Sequence, residues 1–453
     1  MTQISTFFGL QQSLRGLLAH QRTIDVTGHN ITNSNTQGYS RQEAVMGSAT
    51  PYDIEAGLLV DGGGAQLGAG VEIQQFRRIR DAFLDLQYRA QSLRLGEYEG
   101  NASALAQIEE GLSEPGTNGL AAQLDKFWSA WSNVANNPEN LATRQALVEQ
   151  AKTVTASIHD LDARITLIKT QTTSEYAAIT GATGDVRSMA DEIAKLNQAI
   201  KFAVADGDSP NDLYDRRDLL LDQLSSMGQV SVTQSPGGSL DVSLGGVTIV
   251  DADDTTGIAT VPAGTFPLSF GTNPGGRLGA LIDLQSATGP IGSYQTDLAA
   301  MAQSLTNSVN AVYGASGTSF FTYGVGTSGL PEIHLNEPAI SATTLVGGTG
   351  GQSDNTLALA IHNLRGGDAD KRYQQLVTRM GNEVSQAARA EATAQVLTDN
   401  LSDRRESVSG VSLDEEMTNI IRFQRAYQAS ARAMSTTDEM LDTLINRAGR
   451  VGL

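Results

Sequence analysis

The sequence contains no cysteine in its 453 residues, which excludes disulfides, iron-sulfur clusters, thiolate zinc sites and a cysteine nucleophile together. Polar residues interrupt every hydrophobic stretch, so none approaches the roughly 18 apolar residues of a membrane-spanning helix. Positive charge is scarce: 31 Lys and Arg face 50 Asp and Glu, a net of -19. Such a balance repels nucleic-acid phosphates and anionic lipid, so neither nucleic acid nor membrane insertion is expected. Met1 to Leu18 also lacks the basic start, apolar block and cleavage site of a secretory signal. That absence fits a cytoplasmic chain or one exported without a cleavable peptide. Proline is rare inside the long periodic stretches, which leaves room for long helices.

What is present is periodicity at both ends. Phe7, Leu10, Leu14, Leu17, Gln21, Ile24, Gly28 and Ile31 recur at spacings of three and four. Leu413, Met417, Ile420, Gln424, Tyr427, Ala431, Met434, Asp438, Leu441 and Ile445 do the same. Both sets are heptad seams and predict coiled-coil-like helices. Residues 1–45 carry three Arg against Asp25 and Glu43, or +1, and residues 410–453 carry five Arg against six acids, or -1. The middle therefore holds the whole net charge. Nearly neutral ends on an acidic body fit ends that pack against other copies while the body faces water.

Between Arg77 and Met227 the pattern is helical, broken clearly at Asn137-Pro138. From Gly228 to Gly276 the apolar residues Val230, Val232, Leu240, Val242, Leu244, Val247 and Ile249 alternate with polar ones, which predicts a small β-rich insertion. Helical periodicity returns at Leu278 to Tyr313 and at Leu357 to Arg405. The expected architecture is mainly α with a β-rich outer domain: a terminal helical domain of 1–45 plus 410–453, an elongated helical bundle of 46–227 plus 277–409 with a Gly/Thr-rich loop at 314–353, and the insertion at 228–276.

Motifs for chemistry fail on their context. Gly324 to Gly329 has dinucleotide-loop spacing, but Leu330-Pro331 follows where a helix should open. Asp251, Asp253 and Asp254 resemble the start of a calcium loop, yet Gly257 is displaced and Pro262 stands at the closing position. The five His, at 20, 29, 159, 334 and 362, show no ligand-spaced pair. Glu109-Glu110 and Asp414 to Glu416 are acid clusters, and the second follows Ser412 at a helix start, where capping and dipole neutralisation account for it. Trp128 and Trp131 share one helix face and read as core anchors. No catalytic, cofactor or metal residue is expected.

The stretch His29-Asn30-Ile31-Thr32-Asn33-Ser34-Asn35-Thr36-Gln37-Gly38-Tyr39-Ser40-Arg41-Gln42 resembles the amino-terminal signature of flagellar rod, hook and hook-associated proteins. Its Tyr-Ser-Arg-Gln ending is most similar to the FlgK family. Ser409 to Glu416 and Phe423 to Arg432 resemble that family's closing helix. The interior stretches Phe127 to Pro138, Asn211 to Asp218 and Gly275 to Leu281 agree as well. Thr32 and Ser34 depart from the family's usual Ala, and the middle is shorter than in longer members, which implies a reduced or missing outermost domain.

The resemblance implies a structural subunit, not an enzyme, that forms a junction ring between flagellar hook and filament. It also implies type III export, a chaperone before secretion, hook protein and a second hook-associated protein as neighbours, and an extracellular location. Two alternatives are a secreted coiled-coil effector or adhesin and a flagellum-associated wall hydrolase. The expected assembly residues are Phe7, Leu10, Leu14, Leu17, Ile24, Asn30, Ile31, Asn33, Asn35, Thr36, Gly38 and Tyr39 at one end. At the other they are Leu413, Met417, Ile420, Gln424, Tyr427, Ala431, Met434, Leu441 and Ile445. With few partners in a lone chain, residues 1 to about 40 and 412–453 are expected to be mobile until assembly supplies the ordering energy. The turn Asn30 to Gly38 is expected to cap the first helix and release the chain toward the body. On this reading Gly38→Val harms assembly more than monomer folding, and melting and polymerisation assays run side by side check it.

Overall fold

The computed structural model describes residues 7–54, 65–112, 114, 116–117, 119–252, 259–325, 331–443 and 445. It opens with helix α1 (Phe8–Thr32), then strands β1 (Gln42–Ser48), β2 (Tyr52–Ile54), β3 (Ala65–Leu67) and β4 (Val71–Arg78). Five helices follow: α2 (Ala82–Leu112), α3 (Leu120–Asn136), α4 (Leu141–Thr180), α5 (Asp185–Ala205) and α6 (Asn211–Met227). The meander β5 (Val230–Gln234), β6 (Leu240–Leu244) and β7 (Val247–Val250) leads to α7 (Gly276–Gln285) and α8 (Pro290–Tyr313). Hairpin strands β8 (Phe321–Val325) and β9 (Pro331–Leu335), then α9 (Thr356–His362), α10 (Asp368–Ser409) and α11 (Leu413–Asp442), complete the order. The fold is mainly α with small antiparallel sheets, and its two terminal helices pair with each other.

Local chemistry sets several boundaries. α3 stops before Asn137-Pro138, and α4 restarts at Asn140, whose side chain accepts from the Ala142 amide. The helical pattern that continues from the Asn137-Pro138 break to Met227 is three helices, because Gly181, Gly184 and Gly207 interrupt it.

Where one helical bundle was expected, the structure has two cores. The larger joins α2, α3, α4, α8, α9 and α10 around an aromatic knot in which Trp131 lies 5.1 Å from Phe320 and Phe320 lies 5.3 Å from Tyr313, ring centre to ring centre. Trp128 is buried beside it and donates its indole N–H to Asp370 at 3.1 Å, so both tryptophans are core anchors. The smaller core packs Val186, Ile193, Leu221 and Leu224 of α5 and α6, with Leu278 of α7, against Val242, Leu244 and Ile249 of the meander. Helical periodicity marks a buried face but does not say which helices share it, so the division was not visible in sequence.

Two further differences concern strands. Residues 42–78 form antiparallel pairs β1 with β4 and β2 with β3, with a register shift at Val45/Met46. The alternation there is weak because most β1 and β4 side chains on both faces keep partial exposure. The Gly/Thr-rich stretch 314–353 is not wholly loop: β8 and β9 pair within it, with Phe321 opposite Leu335.

Helices α2 and α10 pack side by side. Asp85 meets Arg405, Gln91 meets Ala394 and Glu114 meets Tyr373, so the pair runs antiparallel. At 1.5 Å per residue the shared length is about 45 Å, with the aromatic core at one end and the terminal helices at the other. Phe127 touches Trp128, Trp131, Phe320 and Phe321 and has no solvent exposure. Phe127→Ala is therefore expected to lower the unfolding free energy by about 3–5 kcal/mol, measured by urea denaturation.

Candidate assembly site

The two chain ends meet in one antiparallel helix pair. A side chain at Gly9 would touch Thr437, one at Gly16 would touch Ser430, and Asn30 bonds Glu416. Each step along α1 is matched by an equal step back along α11. Small residues let the two backbones approach, and Thr23 and Thr27 bury their hydroxyls by donating to carbonyls one turn back, each at 2.8 Å.

The most buried line on α1 is Ala19, Thr23, Thr27 and Asn30, the last three each one position before a residue of the expected apolar seam. The reason is that α1 also packs on β1 and β4, so burial peaks on residues facing both neighbours, such as Thr23 against Met46. Leu10, Leu17, Ile24 and Ile31 are half-buried, while Phe7 and Leu14 are exposed. On α11, Ile420, Tyr427, Ala431, Met434 and Leu441 are half-buried; Leu413, Met417, Gln424 and Ile445 are exposed. Met417 shows 60% of its surface. The expected ordering of residues 1–6, 444 and 446–453 lies outside the described residues.

The turn after α1 is a polar hub. Asn30 uses its whole amide: Oδ1 accepts from Tyr39 Oη at 2.8 Å and the Gln42 amide at 3.0 Å, and Nδ2 donates to the Gln42 carbonyl at 2.9 Å and Glu416 Oε2 at 3.1 Å. Burial, then the charges of Asp212, Asp215 and Glu416, push the Tyr39 phenol well above its ordinary value, so it stays a donor. Asn33 caps α1, donating from Nδ2 to the His29 carbonyl at 3.1 Å and accepting from Thr36 Oγ1 at 3.2 Å. Asn35 and Thr36 are exposed. Gly38 has φ of 79°, and a Cβ there would sit 3.2 Å from Leu219 on α6. Part of the cost of Gly38→Val thus falls on the monomer itself, about 1–3 kcal/mol for the backbone alone.

Glu416 corrects the capping reading of Asp414 to Glu416. It is 1% exposed, and Arg41 Nη2 lies 2.8 Å from its Oε1 while Arg41 Nη1 reaches Glu415 at 3.0 Å. Ser412 sits at the N-cap position but makes no side-chain cap bond. Arg41 also holds α10 and β4 through its backbone, donating to the Ser409 carbonyl and accepting from the Ile79 amide, both at 2.8 Å.

Beneath the hub lies a closed ring of alternating charge that sequence reasoning did not find. Asp218 binds Arg80 at 3.1 Å; Arg80 binds Asp85 at 2.6 Å; Asp85 binds Arg405 at 2.9 Å. Arg405 binds Asp222 at 2.7 Å, Asp222 binds Arg89 at 2.7 Å, and Arg89 returns to Asp218 at 3.4 Å. Arg78 bridges Asp218 to Asp215, both at 2.8 Å, and Asp215 accepts the Ser40 amide at 2.9 Å. β4, α2, α6 and α10 are joined at one point. The only sequence signal was the spacing of Asp215, Asp218 and Asp222, which lines one face of α6.

Gly324 and Val325 close β8 and Pro331 opens β9; Gly326 to Leu330, like Asp253, Asp254 and Gly257 of the calcium-like run, lie outside the described residues. Glu109 and Glu110 are exposed on α2.

A largely helical body that carries α1 and α11 as one packed pair places the chain among proteins with a terminal helical module. The model for the FlgK helical domain matches residues 105–321, and the C-terminal model of flagellar basal-body rod FlgEFG proteins matches 405–447. The flagellar hook-associated protein 1 of Bacillus subtilis (strain 168) is 29% identical over 98% of this chain and 99% of its own length. That of Escherichia coli (strain K12) is 23% identical over 96% and 99%. These alignments run over 508 and 562 positions, so the relatives carry residues this shorter chain lacks. A solved flagellar hook junction protein FlgK from Burkholderia pseudomallei matches with TM-score 0.44 and 24% identity, over 53% of this chain and 47% of that one. Over nearly its whole length the chain resembles the FlgK family of flagellar hook-associated proteins.

The ring makes two aspartates behave oppositely. Burial raises the Asp218 carboxyl, but Arg80, Arg78 and Arg89 outweigh it and leave the value below the usual 3.8. For Asp215 burial prevails over Arg78 and Ser40, and the value is raised. A lowered value stabilises the fold above the unfolded pKa and is lost as pH falls through the folded one; a raised value does the reverse. Asp218→Asn is expected to cost about 3 kcal/mol and Asp215→Asn far less, as denaturant titration of both variants at neutral pH checks.

Proposed function

We propose that the chain polymerises through its terminal helix pair as the junction layer between hook and filament, outside the cell. The observation that carries this reading is the α1–α11 pair itself. It joins both chain ends, yet leaves Leu14, Leu18, Met417 and Ile421 exposed. Apolar side chains in such number on a two-helix module are satisfied by neighbouring copies packed around an axis, in a heterologous contact that closes or climbs helically.

A groove of about 620 Å³ between α1, β1 and α11, lined in part by Val26, Ala44, Met46, Ile79 and Phe423, offers a receiving surface for such a neighbour. The charge distribution supports the same arrangement, since the ends are nearly neutral and the body carries the net -19. Among the described residues no helix is long and apolar enough to cross a membrane. Hook protein, a second hook-associated protein and an export chaperone are the proposed partners, type III export without a cleavable peptide is the proposed route, and no catalysed reaction is part of the role.

Deleting the gene and imaging the cell surface while assaying flagellin in the medium tests this function. Bare hooks with flagellin shed into the medium are the expected result. Normal filaments would overturn the junction role.

A further inference from the structure

The fold brings together two histidines that lie 175 residues apart in sequence. His159 projects from α4, and the pleat of β9 puts Glu332 and His334 on one face while Ile333 and Leu335 enter the core on the other. β9 packs on α4, and the two imidazole rings lie 4.9 Å apart. His334 Nε2 is 3.3 Å from Glu332 Oε2. One ligating atom from each of the three side chains falls within 4.8 Å of the others. His159 Nε2 is shielded from solvent and has no hydrogen-bond partner, a state that costs free energy unless something binds it.

We propose that His159, Glu332 and His334 form a divalent transition-metal site that staples the β8–β9 hairpin to α4. Two neutral imidazoles and one carboxylate suit zinc and its neighbours in the first transition row. Zinc–nitrogen bonds of about 2.0–2.1 Å require the three ligands to draw together. His334, with 53% of its side chain exposed, has the freedom to turn toward the other two. The metal would then occupy the unmet Nε2 of His159. Lys152 on α4 is held by Glu337 at 2.6 Å, two turns from His159, so its charge is already balanced on the flank of the site.

The test uses the full chain, freed of metal by chelation, with zinc sulfate as the titrant in calorimetry and thermal melting and cobalt as a spectroscopic probe. The expected result is one zinc per chain, a melting temperature raised by zinc, and a visible cobalt spectrum of nitrogen and oxygen ligation. His334→Ala, at an exposed position, is expected to weaken zinc binding at least tenfold and abolish the melting shift, with Glu332→Gln weakening it as well. No binding in the micromolar range, or zinc held equally by wild type and both variants, as adventitious surface sites would hold it, overturns the proposal.

Discussion

The arrangement of the molecule depends on Asp218. One carboxylate, 17% exposed, is shared by Arg78, Arg80 and Arg89, and through them it fixes a strand, two helices and the path of the chain into α2. Buried ion pairs of this kind return little net stability, because desolvation offsets most of the attraction. Their effect lies in the asymmetry: any arrangement that leaves one member without its partner carries a penalty of about 3–5 kcal/mol. Alternation of Arg and Asp makes that penalty apply to every member at once. The ring is therefore a device for selecting one geometry among several that apolar packing alone would tolerate.

That selection matters because of leverage. The ring sits at one end of the α2–α10 pair and the aromatic knot around Phe320 at the other, about 45 Å away. The knot resists deformation by close packing, where each large ring fills volume that no alternative side chain fills. The ring resists it by charge complementarity. Arg405 serves in both respects, pairing with Asp85 and Asp222 while its guanidinium lies 4.3 Å over the Tyr88 ring.

Much of this was legible as local periodicity, and little of it as pairing. The two terminal helices, the tryptophan core, the Asn137-Pro138 break and the β-rich stretch after Gly228 each follow from spacing within a few residues, whereas the expected seams do not coincide with the line of α1 that is buried. The family signature from His29 to Gln42 was readable for the same reason. What stayed hidden joins distant parts: Asn30 with Glu416, Arg405 with Asp85, His159 with His334. A charged residue on an exposed-looking helix face reads the same whether water or a guanidinium from another element faces it. Glu416 is the clearest case, since its place in the first turn of α11 offers a sufficient local explanation that the fold overrides. The β1–β4 strands were missed for a different reason, because a two-stranded layer with both faces half-exposed has no hydrophobic alternation to display.

The polar hub also solves a problem that the terminal helices create for themselves. A contact built on Gly9, Gly16, Ala19, Thr23 and Thr27 offers close approach but few large knobs, so sliding one helix along the other by a turn changes the apolar contact little. Asn30 ends that ambiguity. Its two amide atoms make four hydrogen bonds, one of them to a carboxylate 386 residues away, and a slip of one turn would strand Glu416 in the interior with its charge unmet. A single buried polar pair at the base of the seam thus sets its register along the whole length, as a buried Asn does in coiled coils. Because Arg41 binds Glu416 and the Ser40 amide binds Asp215, that register is tied directly to the ring. The direction in which the terminal pair leaves the body is then fixed by the same charges that hold the body's base together.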